Sequence, residues 1–469
     1  MGIRDSCGVF GGYGYNNIAP LGGTGLFALQ HRGQESAGIV TFDGENFHER
    51  LRQGLVSQNF RAEQITDLLG HMVIGHVRYS TAGGSSPKNT QPLVAEIKGI
   101  KTYSSLNGNL DNYEELKNKM ESEGSIFSTT TDTEIFPHLI AKSDKETLED
   151  KIADACTHVS GAYSLLMMTN DKLIGLRDPH GFKPLKLGRI KLNKQSAYFI
   201  ASETIAFDDI RAEYIRDVEP NEMIILDEES YHSEQGYKSR KILDNDLIHT
   251  PCIFESVYFA RPDSQISPDG MTYGGLRRKM GQRLAQEHPV DADVVISVPD
   301  SGNHAAEGYS RQSKIPFESG FTRNHYVGRT FIAPSQSKRM QDIDLKLNVE
   351  RSSVKGKRII VVDDSIVRGN TTKRKIIALK NAGAKEIHVR ISCPPVRYPC
   401  FYGMDFPTGE ELIANQFLDS NNKVRINDLC NFLGANSLGY LSLEGLLGAC
   451  KLQGDSFCTA CYNGNYPTK

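Results

Sequence analysis

The chain has 469 residues, of which 39% are hydrophobic and 24% are charged, and its formal net charge is -3. This length allows about two to four domains, and the composition is that of an ordinary globular protein. The near-neutral charge gives no reason to expect nucleic acid or an anionic membrane as partner, and no run of about 18 apolar residues is present to span a membrane.

The first residues, Met1 to Cys7, lack the apolar segment of a secretory signal. A cytoplasmic location is therefore predicted. In that compartment the nine cysteines do not indicate a disulfide framework. Metal ligation or nucleophilic chemistry becomes the better interpretation for some of them.

From Cys7 to about Met223, short apolar runs alternate with Gly, Asn and Ser, as at 70–78, 161–168 and 197–201. Such runs predict short strands in packed antiparallel sheets. A helix predicted over 112–122 intervenes, so layers of α and β structure fit better than a pure sandwich. The polar stretch 227–240 then predicts the connection to a second domain. We place the boundary at 235/236, which gives domains at 7–235 and 236–469.

The second half predicts alternating helices and strands. The apolar spacing of Leu276, Met280 and Leu284 marks one face of a helix. A helix predicted from Thr371 to Ala382 ends at Gly383, a natural C-terminal cap. Strand–helix–strand order implies a parallel sheet with right-handed crossovers. The predicted strands are 294–298, 358–362 and 387–391.

The most specific stretch is 361–372, VVDDSIVRGNTT, which follows a predicted strand and opens a helix. Asp363 and Asp364 stand at the carboxyl end of the strand, where open α/β sheets bind ligands. Such carboxylates can accept hydrogen bonds from ribose hydroxyls or hold Mg²⁺. The turn Ser365–Thr372 offers N–H groups at a helix N-terminus, which suits a phosphate. A capped strand-to-helix turn is the alternative interpretation of a lone Asp-Asp pair.

This run resembles the signature of type I phosphoribosyltransferases. The resemblance implies that Asp363 and Asp364 hold the ribose hydroxyls and that the loop after them holds the 5-phosphate. It also implies that Ser301 joins the two aspartates around one Mg²⁺, and that Arg329 lies in a loop that closes over the substrate. The loop residues implicated in binding phosphoribosyl pyrophosphate are Ser365, Arg368, Gly369 and Thr371.

Cys7 alone is best interpreted as a buried structural cysteine. The ordered segments that accompany it change that interpretation: they are 30–38, 75–83, 107–109 and 131–134. Together they resemble class II glutamine amidotransferases of the N-terminal-nucleophile (Ntn) hydrolase fold. The resemblance implies that Cys7 is the nucleophile, that its own α-amino group is the base, and that the propeptide Met1–Ser6 is removed.

The same resemblance assigns the rest of the glutamine site. An oxyanion intermediate needs hydrogen-bond donors, and Asn107 with the N–H of Gly108 matches the family's pair. Arg78 matches the cation for the substrate's α-carboxylate, and Asp132 matches the anion for its α-ammonium group. Each of these residues taken alone could equally be an ordinary turn or surface residue.

The C-x-x-C pair Cys458 and Cys461 suggests a metal site, with the distant Cys252 and Cys400 as further ligands. Four thiolates suit zinc or a [4Fe–4S] cluster equally, and spacing does not separate them. Resemblance to the cluster-bearing subgroup of the family described next implies a [4Fe–4S] cluster with a structural role. The packing residues are then expected to be Cys156, Cys393, Cys430 and Cys450.

The joined halves resemble the glutamine phosphoribosylpyrophosphate amidotransferase family: an α+β four-layer Ntn glutaminase domain followed by an α/β phosphoribosyltransferase domain. The resemblance implies that ammonia from glutamine displaces pyrophosphate from phosphoribosyl pyrophosphate, giving 5-phosphoribosylamine for purine synthesis. Purine nucleotide inhibitors and a homo-oligomer, tetramer or dimer, are also implied.

Two rival hypotheses remain. A catalytically silent regulator that binds phosphoribosyl pyrophosphate would need no complete glutaminase set. The second rival is a different class II amidotransferase, but such enzymes carry another acceptor domain than the one predicted in the second half of this chain.

Overall fold

The structure of the protein is a computed structural model. The structure describes residues 7–79, 86–192, 196–244, 248–323, 347–404, 406, 408–450 and 456–468. The predicted propeptide Met1–Ser6 and the predicted loop residue Arg329 lie outside these residues.

The described residues of the first domain form thirteen strands in two antiparallel sheets. The strands are β1 (Gly8–Tyr13), β2 (Ser36–Phe42), β3 (Phe47–Gln53), β4 (Met72–Arg78), β5 (Leu93–Ile97), β6 (Ile100–Leu110), β7 (Gly161–Met168), β8 (Lys172–Arg177), β9 (Lys186–Lys191), β10 (Ser196–Ala201), β11 (Glu213–Asp217), β12 (Glu222–Asp227) and β13 (Lys238–Lys241). One sheet has the order β11-β9-β10-β1-β4-β2-β3 and the other β13-β12-β8-β7-β6-β5.

Helices cover the outer face of each sheet. They are α1 (Ala19–Ala28), α2 (Val56–Asn59), α3 (Tyr113–Ser122), α4 (Ile135–Lys142), α5 (Leu148–Cys156), α6 (Ile205–Ile210) and α7 (Glu228–Tyr231). Residues of α1 and α6 share one core with β1 and β4, and residues of α3, α4 and α5 share another with β6 and β7. A third core lies between the sheets. The four layers predicted from the family resemblance are therefore confirmed.

The alternation of side chains along a strand explains why β7 is buried over its whole length. Leu165 and Met167 pack in the core beneath the helices, whereas Leu166 and Met168 pack in the core between the sheets. A strand covered on both faces is apolar at successive positions, as the sequence 161–168 shows.

The polar stretch 227–240 belongs largely to the first domain. Its residues form α7 and most of the edge strand β13, which pairs with β12 as far as Lys241. The six-stranded sheet thus extends beyond the boundary predicted at 235. An edge strand with one open side tolerates charged residues, which explains why its sequence is typical of a linker.

The second domain is built on a parallel sheet, as predicted, with strand order β14-β17-β18-β19. Its strands are β14 (Val294–Ser297), β15 (Phe321–Arg323), β16 (Leu347–Val349), β17 (Arg358–Asp363), β18 (Glu386–Ile391) and β19 (Ser437–Tyr440). Its helices are α8 (Tyr273–Glu287), α9 (Asn303–Ser313), α10 (Arg351–Val354), α11 (Asn370–Asn381), α12 (Ile426–Leu433), α13 (Leu443–Cys450) and α14 (Ala460–Asn463).

Helix α8 confirms the predicted apolar face, since Leu276, Met280 and Leu284 are all buried in the core of this domain. Helix α11 confirms the prediction over 371–382, with a start one residue earlier, and Gly383 takes the left-handed conformation (φ 92°) expected of its cap. No helix in the described ranges is long and apolar enough to cross a membrane.

Candidate active sites

Cys7 immediately precedes β1 and is held against the end of β4. Its Sγ donates to the carbonyl oxygen of Tyr79 at 3.4 Å, and the N–H of Tyr79 lies 3.4 Å from the same sulfur. The pairing of β1 with β4, in which Gly8 faces Val77, sets this juxtaposition. The predicted nucleophile therefore lies at the end of a sheet, in a fixed position.

The environment of the Cys7 thiol favours its protonated form. Burial raises the pKa of this thiol, while the positive charge of Arg78 and the hydrogen bond with the Tyr79 backbone oppose the shift. A thiol with a raised pKa is not a thiolate at neutral pH, so its attack on a carbonyl requires a base that removes the proton.

Arg78 and Asp132 lie close enough to Cys7 for their charges to act on it in opposite directions. Arg78 ends β4, and its guanidinium donates to Thr131 Oγ1 at 3.5 Å. Asp132 Oδ2 accepts a hydrogen bond from the Leu110 N–H at 3.0 Å, and burial raises the pKa of this carboxyl group. The structure thus brings the two predicted glutamine-binding residues together beside the thiol, with opposite charges for the two ends of an amino acid.

Asn107 and Gly108 lie on β6 in the facing sheet. The Asn107 Nδ2 group donates to Ser202 Oγ at 3.4 Å, which leaves its second N–H for another acceptor. The backbone at Gly108 passes so close to β7 that a Cβ atom there would lie 2.0 Å from the carbonyl oxygen of Ala162. Glycine is therefore required at this position. Sequence reasoning missed Ser202, because a serine at a strand end carries no distinctive signal.

Arg32 is a second residue whose role the sequence did not reveal, although it stands within the segment 30–38. Its Nε donates to the carbonyl oxygen of Cys7 at 3.1 Å. Its terminal nitrogens pair with the carboxylates of Glu203 and Glu255. The side chain is completely buried, so this guanidinium fixes the backbone of the predicted nucleophile.

The second site lies at the carboxyl end of the parallel sheet. Asp363 ends β17 and Asp364 follows it, and both are buried. Burial, together with the negative charge of Asp363, raises the pKa of Asp364 to about 7, against hydrogen bonds from Ser301 and Ser365. Ser301 therefore lies within hydrogen-bonding distance of Asp364. Two buried carboxylates side by side are a site that a cation or hydroxyl donors would stabilise.

The turn after the aspartates leads into α11. Gly369 occupies the cap position with φ 75°, a left-handed conformation that favours glycine. Arg368 Nε donates to Glu411 Oε2 at 2.8 Å, and the Ser365 hydroxyl donates to Asp364. Thr371, on the first turn of the helix, lines a cavity of about 530 Å³. The turn 365–369 connects the aspartates to the N-terminus of α11, whose N–H groups suit a phosphate.

Lys375 is a further charged residue at this site that the sequence did not reveal. Its Nζ lies 3.1 Å from Asp363 Oδ2, twelve residues earlier in the chain. The contact forms because α11 turns back along β17. Arg329, predicted to close over the substrate, lies outside the described residues.

The four cysteines predicted as metal ligands occupy one region of the structure. Cys252 and Cys458 form a parallel β-bridge, and the charges of Cys252, Cys400 and Cys458 all raise the pKa of Cys461, which burial raises most. Within the described ranges, however, no three His, Cys, Asp or Glu side chains are grouped closely enough to hold a metal ion. The four remaining cysteines are buried, as expected of packing residues.

The segment after Cys400 contacts the glutaminase domain. Asn109 Nδ2 donates to the carbonyl oxygen of Phe401 at 2.9 Å. A Cβ atom on Gly403 would lie 3.3 Å from the carbonyl carbon of Gly108. The region of the cysteines thus adjoins the strand that carries Asn107 and Gly108.

Comparison with known proteins matches each half of the chain to a domain family. Residues 76–209 match a glutamine amidotransferase domain, and residues 272–398 match a phosphoribosyl transferase domain. The first match includes Arg78, Asn107, Gly108 and Asp132 but begins after Cys7, and the second includes Ser301 and the two aspartates.

Relatives align over nearly the whole chain. An amidophosphoribosyltransferase of Bacillus subtilis is 44% identical, covering 100% of this chain and 95% of the relative. One of Methanocaldococcus jannaschii is 44% identical, covering 99% and 98%. The solved structure of a Bacillus subtilis glutamine phosphoribosylpyrophosphate amidotransferase complexed with ADP and GMP superimposes with a TM-score of 0.88 at 42% identity, covering 99% and 98%. A structure of the allosteric regulatory enzyme of purine biosynthesis gives a TM-score of 0.90 at 44% identity, covering 99% and 96%.

Proposed function

The chain belongs to the amidophosphoribosyltransferase family, and from that membership we propose how its own residues divide the reaction. The chain is a glutamine-dependent transferase that converts phosphoribosyl pyrophosphate, glutamine and water to 5-phosphoribosylamine, glutamate and pyrophosphate, at the start of purine synthesis. The observation that carries the assignment of the glutamine site is the buried Cys7 thiol beside the opposite charges of Arg78 and Asp132.

In the first domain, Cys7 Sγ attacks the carboxamide carbon of glutamine. The carbonyl oxygen becomes an oxyanion, and the Asn107 amide and the Gly108 N–H stabilise it. The base passes the proton of the thiol to the departing nitrogen, so collapse of this intermediate releases ammonia and leaves a thioester, which water hydrolyses to glutamate. Arg78 binds the α-carboxylate of glutamine, and Asp132 binds its α-ammonium group.

The base for this attack is the α-amino group of Cys7. Its ordinary pKa of about 8 is closer to neutrality than that of a lysine. This role requires Cys7 to be the first residue of the mature protein, so we propose that Met1–Ser6 is removed. Edman sequencing of fully active enzyme is expected to read Cys-Gly-Val, and a sequence starting at Met1 or Gly2 would exclude this base.

In the second domain, Asp363 and Asp364 bind the ribose hydroxyls, and the turn 365–372 binds the 5-phosphate. Asp363, Asp364 and Ser301 supply the oxygen atoms that suit one Mg²⁺, and the buried, mutually repelling carboxylates fit such a cation. When bound, Mg²⁺ offsets negative charge on the departing pyrophosphate. Arg329 belongs to the proposed loop that excludes water while ammonia displaces pyrophosphate from C1 of the sugar.

We also propose a [4Fe–4S] cluster on Cys252, Cys400, Cys458 and Cys461. The shared electrostatic environment of these thiols and the Cys252–Cys458 bridge support it. The donor set fits a thiolate-bound metal, although the side chains have to move closer together to hold one. The cluster would tie residues 458–461 to the start of the second domain.

The remaining proposals concern the setting of the reaction. Purine nucleotides inhibit the enzyme, as the relative complexed with ADP and GMP suggests. The protein works in the cytoplasm as a homo-oligomer, a tetramer or a dimer.

The decisive experiment measures pyrophosphate release with Mg²⁺ and either glutamine or an ammonium salt as nitrogen donor. Wild type is expected to use both donors, and Cys7→Ala only ammonium. That pattern would separate the two sites and show that they cooperate. If processed wild type releases pyrophosphate with neither donor, the silent regulator becomes the better hypothesis.

A further inference from the structure

A cleft of about 670 Å³ opens at the end of the first domain that lies away from Cys7. Tyr13 is the last residue of β1, whereas Cys7 immediately precedes the first, so the length of the strand separates the cleft from the proposed nucleophile. The lining combines aromatic rings with carboxylates, and it includes Tyr13, Phe42, His71, Asp171, Asp227 and Glu228. Neither of the two reaction sites uses these residues.

The hydroxyl group of Tyr13 is a polar group for which the cleft provides no partner. The residue is only 7% exposed, and its hydroxyl forms no hydrogen bond with any residue in the described ranges. Edge-on contacts with His71 and Tyr231, at ring-centroid distances of 5.8 Å and 5.7 Å, fix the ring. A buried polar group without a partner costs free energy, and a phenol hydroxyl can both donate and accept. The position therefore suits a ligand that forms hydrogen bonds.

Three carboxylates act on this hydroxyl. Burial, followed by the negative charges of Asp227, Glu228 and Asp171, raises the pKa of Tyr13 to about 12, so the hydroxyl stays protonated at neutral pH. No lysine or arginine of the described residues lines the cleft. An anionic ligand would therefore be repelled, and a cation would be attracted.

Two lysines beside the cleft neutralise its charge only in part. Lys238 Nζ pairs with Asp227 at 2.9 Å and with Glu229 at 2.6 Å. Lys172 Nζ lies 3.5 Å from Asp171 and pairs more closely with a carboxylate outside the cleft. The carboxylates thus outnumber the cations that meet them, and the cleft keeps a net negative charge.

The arrangement of these groups favours an organic cation over a metal ion. Within the described ranges, no three His, Cys, Asp or Glu side chains are grouped closely enough to hold a metal. Phe42 and His71 instead add an aromatic wall, with their ring centroids 6.3 Å apart. An ammonium group is attracted both to carboxylates and to the faces of aromatic rings, and its alkyl chain can pack against an apolar surface.

We propose that this cleft binds an aliphatic polyamine. One ammonium group donates hydrogen bonds to the Tyr13 hydroxyl oxygen and to the carboxylates of Asp171 and Glu228, while the alkyl chain lies along the aromatic wall. The carboxylates are spread over the turn between β7 and β8 and the start of α7, which favours a ligand with more than one ammonium group. The site is separate from glutamine hydrolysis and from phosphoribosyl transfer, so it does not depend on the proposed function.

Isothermal titration calorimetry of the full chain with spermidine, at low ionic strength, tests the proposal. Wild type is expected to show saturable binding. Tyr13→Phe keeps the ring and removes only the hydroxyl, so it should weaken binding about tenfold, the usual effect of losing a hydrogen bond to a charged group. Asp171→Asn combined with Glu228→Gln should weaken binding about fivefold, because exposed ion pairs contribute little singly.

Glu121→Gln is the matched control, since it removes one negative charge from an exposed position on α3, outside the cleft. Its affinity for spermidine should equal that of wild type. Unfolding midpoints without spermidine check that each variant is folded. The double variant changes only exposed side chains, so it keeps the test decisive if Tyr13→Phe is unstable.

Three outcomes overturn the proposed polyamine site. Wild type might show no saturable binding of spermidine, or the folded variants of the cleft might bind it as tightly as wild type does. Glu121→Gln might also weaken binding as much as the cleft variants do, which would mark a nonspecific attraction of the polyamine to acidic surface.

Discussion

The hydroxyl of Ser202 accepts a hydrogen bond from the side-chain amide of Asn107 at 3.4 Å, and it accepts another from the N–H of Val9 at 3.0 Å. One oxygen therefore connects the proposed oxyanion donor on β6 to the strand that follows Cys7. An amide held in this way needs no reorganisation when negative charge develops in front of it.

Ser202→Ala is expected to lower kcat for glutamine hydrolysis about tenfold, with KM for glutamine little changed, because the amide of Asn107 loses its orientation. Steady-state glutaminase kinetics measure both constants. Ser105→Ala is the matched control, since the Ser105 hydroxyl is also buried on β6 but makes no hydrogen bond with any residue that the structure describes. An equal loss in the control, or a change confined to KM, would contradict the orienting role.

The stability of the protein is expected to fall below about pH 6.5 in part because of His76. Burial lowers the pKa of this imidazole to about 3, and its Nε2 lies 3.0 Å from the carbonyl oxygen of Leu106. Between pH 3 and the unfolded value of about 6.5, the unfolded chain binds the additional proton. Stability therefore decreases as the pH falls through this window, by up to about 1.4 kcal/mol per pH unit.

The test compares wild type with His76→Gln, whose amide can still donate to Leu106. Chemical denaturation gives the free energy of unfolding at pH 7 and at pH 5. Between these two values, the variant should gain about 2 kcal/mol in this free energy relative to wild type. His158→Gln, at an exposed histidine, is the control. If wild type and His76→Gln differ in free energy of unfolding by the same amount at both pH values, His76 does not cause the acid sensitivity.

Two glycines of α8 are expected to respond in opposite directions to the same substitution. A Cβ atom at Gly281 would lie 1.9 Å from the carbonyl oxygen of Ala305 on α9, whereas at Gly275 the nearest atom is 3.6 Å away. Gly281→Ala should destabilise the second domain by about 1–3 kcal/mol through overpacking. Gly275→Ala should stabilise it by about 0.5–1 kcal/mol, because the unfolded chain loses freedom. Denaturant midpoints measure both, and destabilisation by Gly275→Ala would contradict the open space at that position.

The proposed cluster predicts the metal content of the protein. Anaerobically purified wild type should contain about four iron atoms per chain. Cys252→Ser should lose most of this iron, while Cys430→Ser, at a buried cysteine outside the proposed set, should keep it. Metal analysis and visible absorption give the answer. If the wild-type protein contained zinc and no iron, the four cysteines would form a zinc site, and the cluster proposal would be wrong.

Local patterns predicted the elements that carry the sites. The apolar strand before Asp363 and the helix that ends at Gly383 follow from the sequence because their determinants lie within a few residues of each other. The edge strand β13 did not follow, because its exposed, charged residues have the composition of a linker. Polar edge strands and linkers are both exposed to solvent, so amino-acid composition alone does not distinguish them.

The sequence did not predict which residues form hydrogen bonds and ion pairs with the site residues. Arg32 meets Glu255 across 223 residues of chain, and Asn107 meets Ser202 across 95. Hydrogen bonds of this kind depend on how sheets and domains pack, and no local periodicity encodes that packing. Recognition of the family assigned the side chains proposed to touch substrate but not the residues that hold them in place.

The ion pair between Arg32 and Glu255 also limits how far this glutaminase can be treated as an interchangeable module. A fragment cut at residue 235 would retain Glu203 but lose both oxygens of Glu255, and with them the ring of Phe259, which lies 4.3 Å from the guanidinium. A buried cation deprived of such partners is costly. Grafting the glutaminase onto another acceptor domain therefore requires that the segment 255–260, or an equivalent anion, be transplanted with it.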